Sequence, residues 1–193
     1  MAEFRFTKGT FEGLKKKIGG PEPLLKAIGV FLVGESQRAF RAQKFKGKEW
    51  LPRKTPNVAG IVRDLMTNSS VKPRRFEPRP ALIDTGRLRG SIAYRVSGNK
   101  VEVGTKLSYA SLHQTGGESE SLPGAGKGGN KTLRRNLKDF LARTDDDTLR
   151  EKLGWLFGVD SFKINVPARP FLGITQEARK RIQVMILSFL GGK

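Results

Sequence analysis

The stretch that most narrows the fold is residues 81–117, ALIDTGRLRGSIAYRVSGNKVEVGTKLSYASLHQTGG, where two short runs alternate with a period of two across a turn. Ile92, Tyr94 and Val96 alternate, Ser97-Gly98-Asn99-Lys100 interrupts them, and Val101, Val103 and Thr105 resume the period. This predicts a β-hairpin. A lone hairpin is marginal in water, so its apolar face needs a helix or another sheet behind it. Just upstream, Asp84 or Thr85 can cap a short helical turn that Gly86 lets tighten, with Leu88 and Ile92 on one side and Arg87 and Arg89 reaching outward. Residues 108–117 fit either another short helix or a loop leaving the hairpin.

Helices able to cover that face are written at both ends. Leu24, Ile28, Phe31, Leu32 and Ala39 mark a helix that follows Pro21-Glu22-Pro23 and runs to about Arg41. Gly34 lowers its propensity without changing the period, and a flat contact with a sheet would account for that glycine. Phe11, Leu14 and Ile18 form one stripe of a shorter helix ahead of it, ending at Gly19-Gly20. At the other end Thr175 caps a helix whose inward set is Ala178, Ile182, Met185, Ile186 and Phe189. The expected class is α+β, a small antiparallel sheet with long N-terminal and C-terminal helices on the same face. A chain of 193 residues can bury such a core without metal or disulfides. One domain over 1–193 is expected, with 45–80 as an extended basic arm and 118–160 as a flexible loop plus an inserted helical hairpin.

The arm follows from its breakers. Gly47, Pro52, Pro56, Gly60, Pro73, Pro78 and Pro80 interrupt every period, leaving Ile61, Val62 and Leu65 room for one helical turn. Trp50 anchors its start by burying a large apolar surface, either against the domain or at an intersubunit contact. Residues 118–130, ESESLPGAGKGGN, read as a mobile solvent loop, and GAGKGG lacks the spacing and preceding strand of a phosphate loop. Leu133, Leu137, Phe140 and Leu141, then Leu149, Leu153, Leu156 and Phe157, predict two helices, the second starting at Thr144 or Asp145. Phe162, Ile164 and Val166 alternate as a strand that Pro167-Ala168-Arg169-Pro170 stops.

The formal charge is +19, from 37 basic against 18 acidic residues, which attracts polyanions or acidic partners. Lys44, Lys46, Lys48, Arg53, Lys54, Arg74 and Arg75, within Arg38–Pro80, with Arg87, Arg89 and Lys106 about the hairpin, are the candidate contacts. A solvated, solubilising surface accounts for them equally well. The absence of cysteine excludes thiolate catalysis and cysteine-ligated zinc and leaves the redox compartment open. No run approaches the roughly 20 apolar residues of a membrane span, so no membrane partner is expected, and a soluble protein made in the cytosol is. His113 is the only histidine and no HxH or HExxH surrounds it, while Ser91, Ser108 and Ser111 lack a nucleophile elbow. Asp145-Asp146-Asp147 could bind Mg²⁺ for nuclease chemistry, but acids at a helix start are more simply caps. No enzyme, metal or cofactor is expected. A basic DNA-binding or metal-dependent DNA-processing protein is the alternative.

Residues 82–92, LIDTGRLRGSI, followed by Val101-Glu102-Val103-Gly104-Thr105 and Tyr109-Ala110-Ser111-Leu112-His113-Gln114-Thr115-Gly116, resemble the phage virion morphogenesis or tail completion family of Mu-like and related tailed phages. Phe40 through Gly47 to Trp50 and Pro52 is similar to the upstream part of that pattern, and Pro167-Ala168-Arg169-Pro170-Phe171-Leu172-Gly173 to its closing motif. The resemblance implies a structural protein, assembled in the host cytoplasm and carried in the virion, that completes or terminates the tail and helps form the neck or head–tail junction. It implies a homo-oligomeric ring, a hexamer by family analogy, around the DNA passage. Tail-tube or neck proteins would be its partners, with nonspecific contact to DNA. Trp50, Tyr109, His113, Arg169 and Phe171 become candidate assembly or arm-anchoring residues, with Arg169 pointing into a partner interface.

Overall fold

The computed structural model describes residues 2–5, 20–67, 70–72 and 75–191. The stripe Phe11, Leu14 and Ile18 and the candidate Arg74 lie outside them. In chain order the elements are β1 Ala2–Arg5, α1 Glu22–Ala42, β2 Lys44–Phe45, β3 Lys48–Glu49, α2 Val58–Thr67, α3 Arg87–Gly90, β4 Ala93–Ser97, β5 Lys100–Gly104, α4 Ala110–Thr115, β6 Gly117–Glu118, β7 Leu122–Pro123, α5 Lys131–Ala142, α6 Asp147–Gly154 with a 3₁₀ turn Trp155–Gly158, β8 Ser161–Phe162, β9 Asn165–Val166 and α7 Gln176–Gly191. The class is α+β, and the chain divides into two compact units that interleave in sequence.

The first unit comprises Met1–Leu51, Pro80–Thr115 and Ala168–Lys193. Its antiparallel sheet has the order β1-β5-β4, with Tyr94 opposite Val103, Val96 opposite Val101, and Ser97 opposite Lys100 across a Gly98-Asn99 turn. The alternation buries Val101 and Val103 on the face that α1 covers. Pro23 is tolerated in the first turn of α1, where its missing N–H has no partner to lose. Leu24, Leu25, Ile28, Leu32, Ala39 and Phe40 then point into the core. The flat helix-to-sheet contact exists, but at Gly29: a Cβ there would overlap the Tyr94 ring, whereas Gly34 has open space around it. The terminal helix α7, capped by the Thr175 hydroxyl accepting the Ala178 N–H at 3.0 Å, packs chiefly on α1, and its Ile182 joins the core cluster that holds Val101 and Val103 of the sheet.

The second unit comprises Pro52–Arg79 and Gly116–Pro167. Residues 45–80 are therefore shared: 45–51 belong to the first unit and 52–79 to the second. In place of one turn in an extended arm there is a ten-residue helix, α2, which buries Ile61, Val62 and Leu65 against Leu133 and Leu137 of α5, with Leu149, Leu153 and Leu156 in the same cluster. Burial by a distant partner overrides the local breakers. The Asn136 amide, itself buried, fixes the contact by donating to the Leu65 carbonyl at 2.7 Å.

The segment expected to be a mobile loop is folded as well. Residues 117–123 run antiparallel to 161–166, β6 pairing with β9 and β7 with β8, and Ser119 bonds both the Ile164 carbonyl and its N–H between them. The predicted strand at 162–166 thus pairs here and not with the central hairpin. The glycines of GAGKGG serve close approach: a Cβ on Gly124 or Gly126 would collide with the Val159 backbone, and Ala125 between them is fully buried. Asn130 then caps α5, its side-chain oxygen accepting the Leu133 N–H at 2.8 Å.

Candidate functional site

The segments that carried the resemblance converge in the first unit. Helix α1 ends at Gln43, whose left-handed backbone (φ 53°) turns the chain and whose N–H still reaches the Ala39 carbonyl. The Gln43 amide donates to the carbonyls of Phe40 at 2.7 Å and Ala81 at 3.0 Å and accepts the Ala81 N–H, so it ties the helix end to the start of the central motif. The Gln43 carbonyl accepts the Trp50 N–H at 2.8 Å and closes the small β2–β3 hairpin.

Trp50 comes next. Its indole N–H donates to the Pro170 carbonyl at 3.0 Å, and its ring meets Phe40 edge-on with centroids 5.5 Å apart. Phe40 in turn packs on Phe171 at 5.2 Å, and all three side chains are buried. Aromatic pairs of this geometry contribute about 0.5–1.5 kcal/mol beyond their area. From the other side Gln114, on α4, donates to the Leu172 carbonyl at 2.8 Å and accepts the N–H groups of Phe171 and Leu172 at 3.0 and 3.1 Å. Gly173 has φ 153°, and a Cβ there would press on the Phe45 ring, so glycine is required at the end of PARPFLG.

Arg169 does not point into a partner interface. It is 7 % exposed; its N–H donates to the His113 carbonyl at 2.7 Å and its side-chain Nε to the Leu51 carbonyl at 2.8 Å. Burial lowers its pKa from the ordinary value for arginine. His113 is half-buried, with the Tyr109 ring edge-on at 6.0 Å, and its Nδ1 meets no hydrogen-bond partner among the described residues. Burial first, and the neighbouring Arg169 charge second, hold its pKa below the usual histidine value. Tyr109 is exposed on the outer side of this cluster.

The basic candidates scatter. Lys44, Lys46 and Lys48 are exposed about the β2–β3 hairpin, Arg87 on α3 and Lys106 after β5, while Arg89 is half-buried. In the second unit Lys54 is exposed and Arg53 is half-buried, with Nη2 donating to the Glu77 carbonyl at 3.2 Å. Arg75, expected on a DNA-facing surface, is instead 8 % exposed, crosses Gly60 where a Cβ would block it, and makes two 2.9 Å hydrogen bonds to Asp64. That bidentate contact holds the Asp64 carboxyl below its usual range. Arg75 cannot face DNA.

The side chains weighed for metal or nucleophile chemistry have local contacts of their own. Asp146 caps α6 by accepting the Leu149 N–H at 3.1 Å, and Asp147 pairs with Arg150 at 2.8 Å. Ser91 Oγ bonds the Leu88 carbonyl and Thr105, and Ser111 Oγ bonds the Ser108 carbonyl. No group of three His, Asp or Glu side chains is placed to hold a metal ion among the described residues, nor is any of their helices long and apolar enough to cross a membrane. Sequence reasoning missed Gln43 and Gln114 as roles. Gln114 at least stood inside the quoted motif.

What these contacts define is a small α+β body in which Gln43, Trp50, Gln114 and Arg169 bond the chain's own backbone. The chain belongs to the phage virion morphogenesis family, whose sequence model matches residues 3–191, and its role is structural, in virion assembly. Comparison with curated proteins and with solved structures found no match.

Proposed function

We propose that this protein completes or terminates the phage tail and helps form the neck, as a ring of copies, six by family analogy, around the DNA passage, and that it catalyses no reaction. The observation that supports this reading is apolar surface left uncovered on α1 and α7. Val30 on α1 is 60 % exposed, and Val184 and Leu187 on α7 are 54 % and 68 % exposed; Val184 lines a shallow hollow with Pro23, Ala27, Met185 and Phe189. Covering a branched aliphatic side chain is worth about 1.5–3 kcal/mol, and several left exposed on two helices of one unit fit an assembly contact. The outer edge of β4 offers a second such contact.

A metal-dependent DNA-processing reading would need Asp145–Asp147 available, and two of the three are engaged at the start of α6. The test is light scattering of the purified protein and microscopy of particles assembled with wild type or Leu187→Lys. The wild type should close into an oligomer, alone or on a tail end, and be found at the head–tail junction. Leu187→Lys, at an exposed position, should stay folded and fail to assemble. A monomer that never associates with tails would overturn the proposal.

A further inference from the structure

We propose that the outward face of α5, in the second unit, binds the phosphodiester backbone of nucleic acid. Leu133, Asn136 and Leu137 turn α5 inward, which leaves Lys131, Arg134, Arg135 and Lys138 on its exposed side. At about 100° per residue the four fall within an arc of about 100°, and Lys131 to Lys138 spans about 10 Å of axis. That length matches about three nucleotide steps at about 3.4 Å each along one strand.

Acids near other basic residues are engaged: Glu102 with Arg95 and Lys100, Asp147 with Arg150, Glu118 with Lys163, Glu77 with Arg79 and Asp64 with Arg75. None of the four α5 cations has an ion-pair partner among the described residues; Arg134 gives one N–H to the Ala125 carbonyl at 3.1 Å. Asp139, the one acid of the helix, lies to the side of the stripe. A protein partner would require apolar or aromatic anchors at the centre of the contact. Beside its charges this face offers Thr132, Ala142 and one half-buried edge of Leu141, whose side chain packs on the cluster beneath. Phosphates need charge and N–H donors alone.

The inference does not depend on the tail assignment, because the purified protein reports it. Binding to a fluorescein-labelled DNA duplex is followed by anisotropy over a salt series, where each phosphate contact contributes about 0.9 to the slope of log K against log salt. Lys131→Gln/Arg135→Gln/Lys138→Gln should lower that slope by about 2–3 and weaken binding near 0.1 M salt by about 10²–10³-fold. Arg135→Gln alone should lower it by about 0.9. Lys44→Gln/Lys46→Gln/Lys48→Gln removes the same charge from the first unit and should lower the slope by less than about 1. Equal slopes for the two triple variants, or no change on α5, would overturn the proposal. So would poly-L-glutamate displacing the duplex as well, charge for charge, as unlabelled DNA does, since that would assign the face to acidic partners.

Discussion

Removing the Gln114 side chain tests whether the closing motif is held by the contacts described. Its amide makes three hydrogen bonds to the backbone of Phe171 and Leu172, at 2.8, 3.0 and 3.1 Å. A net hydrogen bond is worth about 0.5–1.5 kcal/mol, and a half-buried site belongs at the low end, so Gln114→Ala should cost the first unit about 2 kcal/mol. The assay follows from where the two tryptophans lie. Trp50 is buried in the first unit and Trp155, 45 % exposed, is in the second, so a Trp155→Phe background leaves a reporter for the first unit alone. With a urea m-value of about 2 kcal/mol/M, the Trp50 midpoint should fall by about 1 M.

A graded variant sharpens the test. Gln114→Glu keeps an acceptor for both N–H groups and loses the donor to the Leu172 carbonyl, so its midpoint should fall between wild type and Ala. A shift below about 0.2 M for Gln114→Ala would refute the claim that these bonds hold the segment. Equal losses for Glu and Ala would show that the two acceptor contacts do not outweigh the repulsion between the new carboxylate oxygen and the Leu172 carbonyl.

Arg75→Met strands a buried carboxylate and should cost about 3–5 kcal/mol, read by Trp155 with the Trp50 transition unmoved, while Asp64→Leu/Arg75→Met should recover most of it. Because the folded pKa of Asp64 is lowered, the pair's contribution is complete above the unfolded value of about 3.9 and is lost as pH falls through the lower folded value; Asp64→Asn should remove that part of the acid dependence seen by Trp155. Two glycines of α1 should respond with opposite sign in thermal melts. Gly29→Ala drives a methyl into Tyr94 and should cost about 1–3 kcal/mol, whereas Gly34→Ala, in open space, should gain up to about 1 kcal/mol, at about 2–4 °C per kcal/mol.

How much of this could be read in advance depended on whether the determining contact was local. The hairpin, α1 and α7 were legible because each carries its own period: Val101 and Val103 on one side of a strand, Ala178 and Ile182 on one side of a helix. Glycine was ambiguous for the same reason. Gly29 and Gly34 sit in one helix, and only the ring of Tyr94, from a strand far along the chain, separates them. In residues 118–130 glycine marks mobility when nothing approaches and close packing when Val159 and Asp160 do, and composition contains no sign of which. Charge carried the same limit. Arg75 and Lys44 count equally toward +19, yet one is spent on Asp64 inside the second unit and the other is in solvent.

The candidate site adds a further reason. Gln43, Gln114, Trp50 and Arg169 all address main-chain atoms, of Ala81, Phe171, Leu172, Pro170 and Leu51. A carbonyl has no sequence, so a motif made of such contacts constrains the geometry of its own chain without naming a ligand. Such residues identify the fold and cannot by themselves state what the fold touches. The surfaces proposed to meet a partner, Val30, Val184 and Leu187 in the first unit and the α5 cations in the second, lie outside the motif segments, within which Tyr109 and Arg87 are exposed as well. Substitutions that separate assembly from folding therefore belong on those surfaces, since changes in the motif would remove both together.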